Sequence, residues 1–253
     1  MIFRLFKMSG RASSRAPEST ATPDGMRVYV IGDIHGRADL LDKLALQIED
    51  DLKSAPPIVV AVFLGDYIDR GPQSKAVVDR LCRGAFPTPI VTLRGNHEQT
   101  MLDAFDDESV FASWRQFGGL ETLMSYGVDV SQLMRGLGYD NARAQLLEKT
   151  PAAHRKFLEA SSAAHELGDY FFCHAGVRPG VALARQADAD LLWIRDEFLE
   201  SPAFHGKIVV HGHTPVAAPD VRPNRINIDT GAYATGVLTC LVLEGRTRRI
   251  IST

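Results

Sequence analysis

Three apolar runs, each closed by a glycine and then a polar side chain, recur at nearly even spacing: "RVYVIGD" (27–33), "APPIVVAVFLGD" (55–66) and "TPIVTLRGN" (88–96). The closing residues Asp33, Asp66 and Asn96 lie 33 and 30 residues apart. After the first run, "ADLLDKLALQIEDDL" carries Leu40, Leu41, Leu44, Ile48 and Leu52 at helical spacing. After the second, "PQSKAVVDRLCRG" reads as a helix with Pro72 near its start and Gly84 just past its end. A strand–helix–strand unit takes about 30 residues, so the pattern is βαβαβ. The three polar residues then fall at equivalent places, just past the carboxyl ends of neighbouring strands, where open α/β sheets gather their ligands.

Residues 99–165 read as mostly helical, with glycine breaks at "FGG", "SYG" and "RGLG", which predicts a helical cap inserted into the domain. Strands resume with "DYFFCHAG", "GKIVVHGHT", "NRINIDTGA" and "GVLTCLVLEG". The last of these follow one another without helices and predict a second, partly antiparallel sheet. The expected fold class is α/β, with two facing mixed β-sheets flanked by helices (an αββα sandwich) and the helical cap as an insertion.

Residues 1–25, rich in Ser, Ala, Arg, Thr and Pro, read as a disordered leader ahead of one domain spanning 26–253. The leader's apolar start is broken by Arg4 and Lys7, so it lacks the apolar core of a signal peptide. No run reaches the ~18 apolar residues of a membrane span, which argues against stable membrane insertion. A net charge of −3 gives no global attraction to nucleic acid. The three cysteines (Cys82, Cys173, Cys240) are widely spaced, which fits a reducing, cytoplasmic setting.

Five strand ends carry polar clusters: "GDIHG" (32–36), "GDYIDRG" (65–71), "GNHE" (95–98), "CHAG" (173–176) and "HGHT" (211–214). Charged groups crowded against buried strands are costly to desolvate unless they are paired or bind a metal. Carboxylate, imidazole and amide oxygen together suit divalent metals such as manganese, iron or zinc.

These five motifs, in this order, resemble the metal-dependent phosphoprotein phosphatase family within the calcineurin-like metallophosphoesterases. The resemblance covers about residues 26–243, and "DLLWIRDEF" (190–198) is similar to the bacterial branch of that family. It implies the calcineurin-like metallophosphoesterase fold and two divalent ions, manganese first, with iron and zinc as alternatives. It further implies one ion on Asp33, His35 and Asp66, and a second on Asp66, Asn96, His174 and His213, with Asp66 bridging. Hydrolysis would proceed by direct attack of a metal-bridging hydroxide. Beside the ions, Arg70 and Arg195 are expected to clamp the phosphate, assisted by Asn96. His97 is expected to be the general acid, oriented by Asp69.

Spacing alone puts both His211 and His213 on one strand face, so either could reach inward; the family pattern selects His213. Cys173 is expected to be a small buried hydrophobe and Trp114 and Phe117 cap-core residues. His154, His165 and His205 are expected to be solvated, Glu98 to support His97 or its turn, and Arg178 to border the site. The expected activity is that of a serine/threonine protein phosphatase acting on phosphoproteins or phosphopeptides, with phosphotyrosine in reach. The alternatives are a symmetrical dinucleoside tetraphosphate (Ap4A) hydrolase and a non-catalytic metal-binding interaction module. "GHTP" at 212–215, in place of a second histidine after the threonine, points away from phosphodiesterases, and the module is disfavoured because no proposed ligand is missing. Oligomeric state has no signal in the sequence.

Overall fold

The computed structural model describes residues 20–253. Strands β1 (Met26–Ile31), β2 (Ile58–Phe63) and β3 (Ile90–Thr92) lie parallel in neighbouring order. The crossovers carry helices α1 (Ala38–Asp51) and α2 (Ser74–Cys82). Helix α1 buries Leu40, Leu41, Leu44 and Ile48, the stripe its spacing predicts, against the outer face of this sheet.

Helices α3 (Asn96–Asp106), α4 (Glu108–Trp114), α5 (Gly119–Ser125), α6 (Tyr139–Lys149) and α7 (Ala152–Ala160) follow β3 and join the same outer core. Trp114 is buried there, but Phe117 is 63% exposed. A short 3-10 turn at Arg115–Phe117 ends on left-handed Gly118 and throws the Phe117 ring outward instead of into the cap core. His154 also departs from expectation. It is buried, with Nε2 2.9 Å from Asp79 and Nδ1 3.0 Å from the Tyr126 hydroxyl, and so ties α7 to α2. His165 and His205 are half-buried rather than fully solvated.

The second sheet runs β4 (Ala164–Leu167), β5 (Tyr170–Cys173), β6 (Ile208–His211), β8 (Arg225–Asn227) and β7 (Asp220–Val221) in spatial order. Its centre is parallel and its two edge strands antiparallel, so the sheet is mixed. Helices α8 (Asp188–Trp193) and α9 (Asp196–Leu199) cover its outer face.

The strand pattern assigns "GVLTCLVLEG" to this second sheet, and the structure corrects that. β9 (Thr239–Glu244) crosses back to pair antiparallel with β1, and β10 (Thr247–Ser252) pairs with β9. The first sheet is therefore also mixed, in the order β10-β9-β1-β2-β3. Cys240 and Val242 point to the helical side while Leu241 and Leu243 point between the sheets. A strand buried on both faces reads as one continuous apolar run, and such a run does not say which sheet it joins.

The sheets face each other across Val28, Val30, Val62 and Leu64 on one side and Tyr170, Phe172, Ile208, Val210 and Ile226 on the other. Residues 20–25, assigned to the leader by composition, are packed: Thr22 donates its N–H to Gly245 at 3.0 Å and Asp169 donates to Ala21 at 3.1 Å. The remainder of the leader, 1–19, lies outside the described residues. Among those described, no helix is long and apolar enough to cross a membrane.

Candidate metal centre

The loops after β1, β2, β3, β5 and β6 converge at one end of the sandwich. Asp66, just past β2, sits at the middle and uses its two oxygens differently. Oδ2 lies 3.4 Å from His35 Nε2 and 3.8 Å from His97 Nε2, whereas Oδ1 lies 3.3 Å from His174 Nε2. Two sets of buried donor atoms result, His35–Asp66–His97 and Asp66–His174–His213, each within a span a cation could bridge. Asp66 belongs to both.

The second set has a crowding that protons alone do not explain. Nδ1 of His174 is 3.0 Å from the Leu64 carbonyl, which can only accept, so Nδ1 carries the hydrogen and Nε2 is a lone pair. That lone pair stands 2.8 Å from Asn96 Oδ1 and 3.2 Å from His213 Nδ1, and Asn96 Oδ1 is also 2.8 Å from His213 Nδ1. Acceptors brought this close repel unless a positive centre lies among them. In the first set His35 Nδ1 gives its hydrogen to the Ile68 carbonyl at 2.8 Å, which turns the Nε2 lone pair inward. There the Arg70 guanidinium lies 2.8 Å from it and 3.1 Å from His97 Nε2, a positive group at the place a cation would take.

Asp33 lies against the loop that carries His213. Its Oδ2 accepts the His213 N–H at 2.9 Å, and its Oδ1 is buried with no hydrogen-bond partner, as is His213 Nε2. The grouping around His35 contains His97 rather than Asp33. A buried carboxylate oxygen left without a partner needs an explanation, and a divalent cation supplies one, so the residues present fit a metal site. Charge points the same way. Burial, then the nearby Asp229 and Asp66 carboxylates, push Asp33 well above the ordinary carboxylate range. Burial holds the imidazoles of His35 and His213 neutral, at about 3 and about 2, which is the metal-binding form. Asp66 is opposed by burial, yet the imidazoles around it, His174 first, keep it below its ordinary value.

Backbone geometry explains which histidine turns inward. β6 ends at His211, whose ring packs edge-on against Phe198 at 5.1 Å, away from the centre. Gly212 then passes so close to Asp33 that a Cβ there would collide with its carboxylate. His213 follows with φ +67°, which swings its ring to the centre. Five non-glycine residues among those described have positive φ: His35, Asp66, Asp69, Arg70 and His213. All five are predicted site residues. Such backbone costs roughly 1–2 kcal/mol per residue and persists only where the surroundings dictate it.

His97 Nδ1 is 2.6 Å from Asp69 Oδ2. Burial would lower this imidazole, but Asp66 and the Asp69 hydrogen bond outweigh it and raise it above its ordinary value. Arg195 faces the same side, 3.3 Å from the Thr214 hydroxyl. A cleft of about 430 Å³ opens beside these groups, and its lining includes Arg70, Asn96, His97, Phe117, Trp193 and Arg195. Arg178, expected at the border, turns to Asp190 and Glu197 instead.

Glu98 supports its turn as expected, and two further participants, Asp229 and Tyr233, carry no signal in the sequence. Glu98 is fully buried and accepts the backbone N–H groups of Asp66, Tyr67 and Gly95 at 2.8 Å each, and of Ile68 at 3.3 Å. It is the brace between the loops after β2 and β3, and its spacing three residues past Gly95 is that of a capping box. Asp229 supplies a third carboxylate near Asp33 and Asp66, pushed up to about 6 chiefly by burial. Tyr233, from the short helix α10 (Ala232–Thr235), lays its ring 4.9 Å from the Arg70 guanidinium and 5.3 Å from the His35 ring. Glu98→Gln turns one acceptor oxygen into a donor facing buried N–H groups, each worth about 1–3 kcal/mol when left unsatisfied. Chemical denaturation should therefore show a loss of about 3 kcal/mol, beyond what a surface substitution gives.

The family model for calcineurin-like phosphoesterases matches residues 26–236. A bis(5'-nucleosyl)-tetraphosphatase PrpE (asymmetrical) of Anoxybacillus flavithermus is 27% identical, over 84% of this chain and 88% of its own. A serine/threonine-protein phosphatase 2 of Salmonella typhimurium is 29% identical, over 84% of this chain and 90% of its own. Among solved structures, a putative diadenosine tetraphosphatase superposes with a TM-score of 0.62 at 18% identity, over 92% of this chain and 98% of that one.

Proposed function

The chain belongs to the calcineurin-like phosphoesterase family, and from that premise we propose that this metallophosphoesterase is a phosphomonoesterase acting on phosphoserine and phosphothreonine of proteins, with phosphotyrosine within its chemical reach. The observation that carries this reading is the charge of the cleft. Two guanidinium groups, Arg70 and Arg195, stand in it with one carboxylate, Asp103, while Arg178 is occupied by Asp190 and Glu197. Two planar guanidiniums match the oxygens of one phosphoryl group. A polyphosphate chain would call for a longer basic track.

In this reading Asp33, His35 and Asp66 would hold one divalent cation, and Asp66, Asn96, His174 and His213 a second. Manganese is the first choice, with iron or zinc as alternatives. The cations, when bound, supply Lewis acidity that activates water and takes up phosphoryl charge. The protein's own groups do the rest. Arg70 and Arg195 hold the equatorial oxygens while water adds to phosphorus, losing a proton to bulk solvent, and the bond to the serine oxygen breaks. His97 gives its Nε2 proton to that departing oxygen and keeps its Nδ1 hydrogen on Asp69. The three cysteines are free thiols, which fits a cytoplasmic setting.

A second reading, dinucleoside tetraphosphate hydrolysis, is favoured by one specific feature. Phe117 and Trp193 are 63% and 49% exposed on the same cleft and could stack on a base. The name of the A. flavithermus relative also supports it. The metal-loaded protein should be assayed side by side on phosphoserine and phosphothreonine peptides and on diadenosine tetraphosphate. Turnover of the peptides at least about 10-fold more efficient, a transition-state difference near 1.4 kcal/mol, is the expected result. Turnover of the dinucleotide alone would overturn the first reading.

A further inference from the structure

We propose that Trp114 and Thr122, carried by cap helices α4 and α5, are positioning residues for His97 that act through Asp69. The proposal rests on the reading of His97 as proton donor to the leaving group.

Asp69 is fully buried, and both of its oxygens are engaged by donors. Oδ2 receives His97 Nδ1 at 2.6 Å and the indole N–H of Trp114 at 2.7 Å. Oδ1 receives the Thr122 hydroxyl at 2.5 Å. An indole nitrogen can only donate. The Thr122 oxygen already accepts the Asp69 backbone N–H at 2.9 Å, so its own hydrogen is directed at a neighbouring oxygen. With three donors converging on it, Asp69 is a carboxylate in one fixed orientation, because a buried carboxylate with a single partner would be poorly compensated. His97 must then keep its hydrogen on Nδ1, which leaves Nε2 as the atom that faces the cleft.

The donors are themselves held. The Trp114 ring lies flat against Gly119, where a Cβ would come within 2.7 Å of it, and edge-on to Phe111 at 6.2 Å. Neighbouring Gly118 accepts the Arg70 N–H at 3.0 Å. Ser74 Oγ accepts the Asp69 N–H at 3.0 Å and lies 3.0 Å from Thr122 Oγ, which completes the shell. The cap thus docks on the "DRG" turn through contacts to both of its charged residues. One sets the direction of the acid's proton and the other anchors the backbone of Arg70, the proposed phosphate clamp.

A cap that merely stabilised the fold would affect every substrate alike. The leaving group separates the two possibilities. Cleavage of a phosphoserine peptide expels an alkoxide that needs a proton, while p-nitrophenyl phosphate expels a stable phenolate that does not. In the metal-loaded full chain, Thr122→Val and Trp114→Phe are expected to lower kcat on the peptide about 10- to 30-fold, part of the 10²–10⁴ that acid catalysis supplies. On p-nitrophenyl phosphate they should stay within about 2-fold, and Thr122→Ser should restore the peptide rate. Ring ¹H and ¹⁵N shifts should show the His97 Nδ1 hydrogen in a strong hydrogen bond in the parent and in a weakened one in Thr122→Val.

His97→Asn in the same panel separates the inference from its premise. If His97→Asn fails to discriminate between the two substrates, the proton-donor reading of His97 is wrong. If it does discriminate while Thr122→Val and Trp114→Phe slow both substrates equally, or neither, the positioning role is overturned. Should Trp114→Phe not fold, the nearly isosteric Thr122→Val decides.

Discussion

Asp66→Asn is expected to lower kcat/KM on every substrate by about 10⁴-fold or more, a loss of about 5.5 kcal/mol in transition-state stabilisation. The size follows from sharing. A ligand serving one cation leaves the other in place, but the two Asp66 oxygens face different donor sets. The amide keeps the shape and loses the charge, so the effect cannot be blamed on a cavity. A second measurement checks the cause. A ligand that binds only the folded state raises Tm by mass action, so added Mn²⁺ should raise Tm of the parent and barely move that of Asp66→Asn. Near-parental activity in the variant would sink the shared-carboxylate centre, whatever the substrate proves to be.

Arg70→Ala is the second large effect, expected at about 10³-fold in kcat/KM, the upper end of what one preorganised charge-stabilising group supplies. The Tyr233 ring lies against the guanidinium, and Gly118 accepts the Arg70 backbone N–H. The side chain is therefore aimed before substrate arrives, at no further ordering cost. Arg70→Lys tests whether geometry or charge matters. An ammonium keeps the charge but cannot present a planar fork, so a loss of about 10²-fold should remain. Recovery by lysine to near-parental rates would mean that Arg70 serves only as a diffuse positive field. Binding of inorganic phosphate should weaken in parallel, since the same oxygens are held in product.

Where the chain folds by local rules, the sequence was readable. The βαβαβ spacing places Asp33, Asp66 and Asn96 past three strand ends, and the structure puts them there. What escaped was set by long-range packing. Trp114 and Thr122 reach Asp69 across 45 and 53 residues, and neither bears a pattern marking it as anything but core. His154 looked solvated because its partners, Asp79 and Tyr126, are 75 and 28 residues away. β9 is apolar on both faces, so its run alone does not say which sheet it joins. Glu98 was visible as a motif letter, but its four N–H partners lie on two loops that only the folded chain brings together.

The five left-handed side-chain-bearing residues bear on how this protein would respond to directed evolution. Glycine fits such backbone without steric penalty, so a selection for heat resistance alone should sample glycine at His35, Arg70 or His213, whereas at Asp69 it would strand the Trp114 and Thr122 donors. Each such winner would trade a functional group for thermal tolerance. Libraries for a sturdier variant should hold these positions fixed and seek their gains elsewhere.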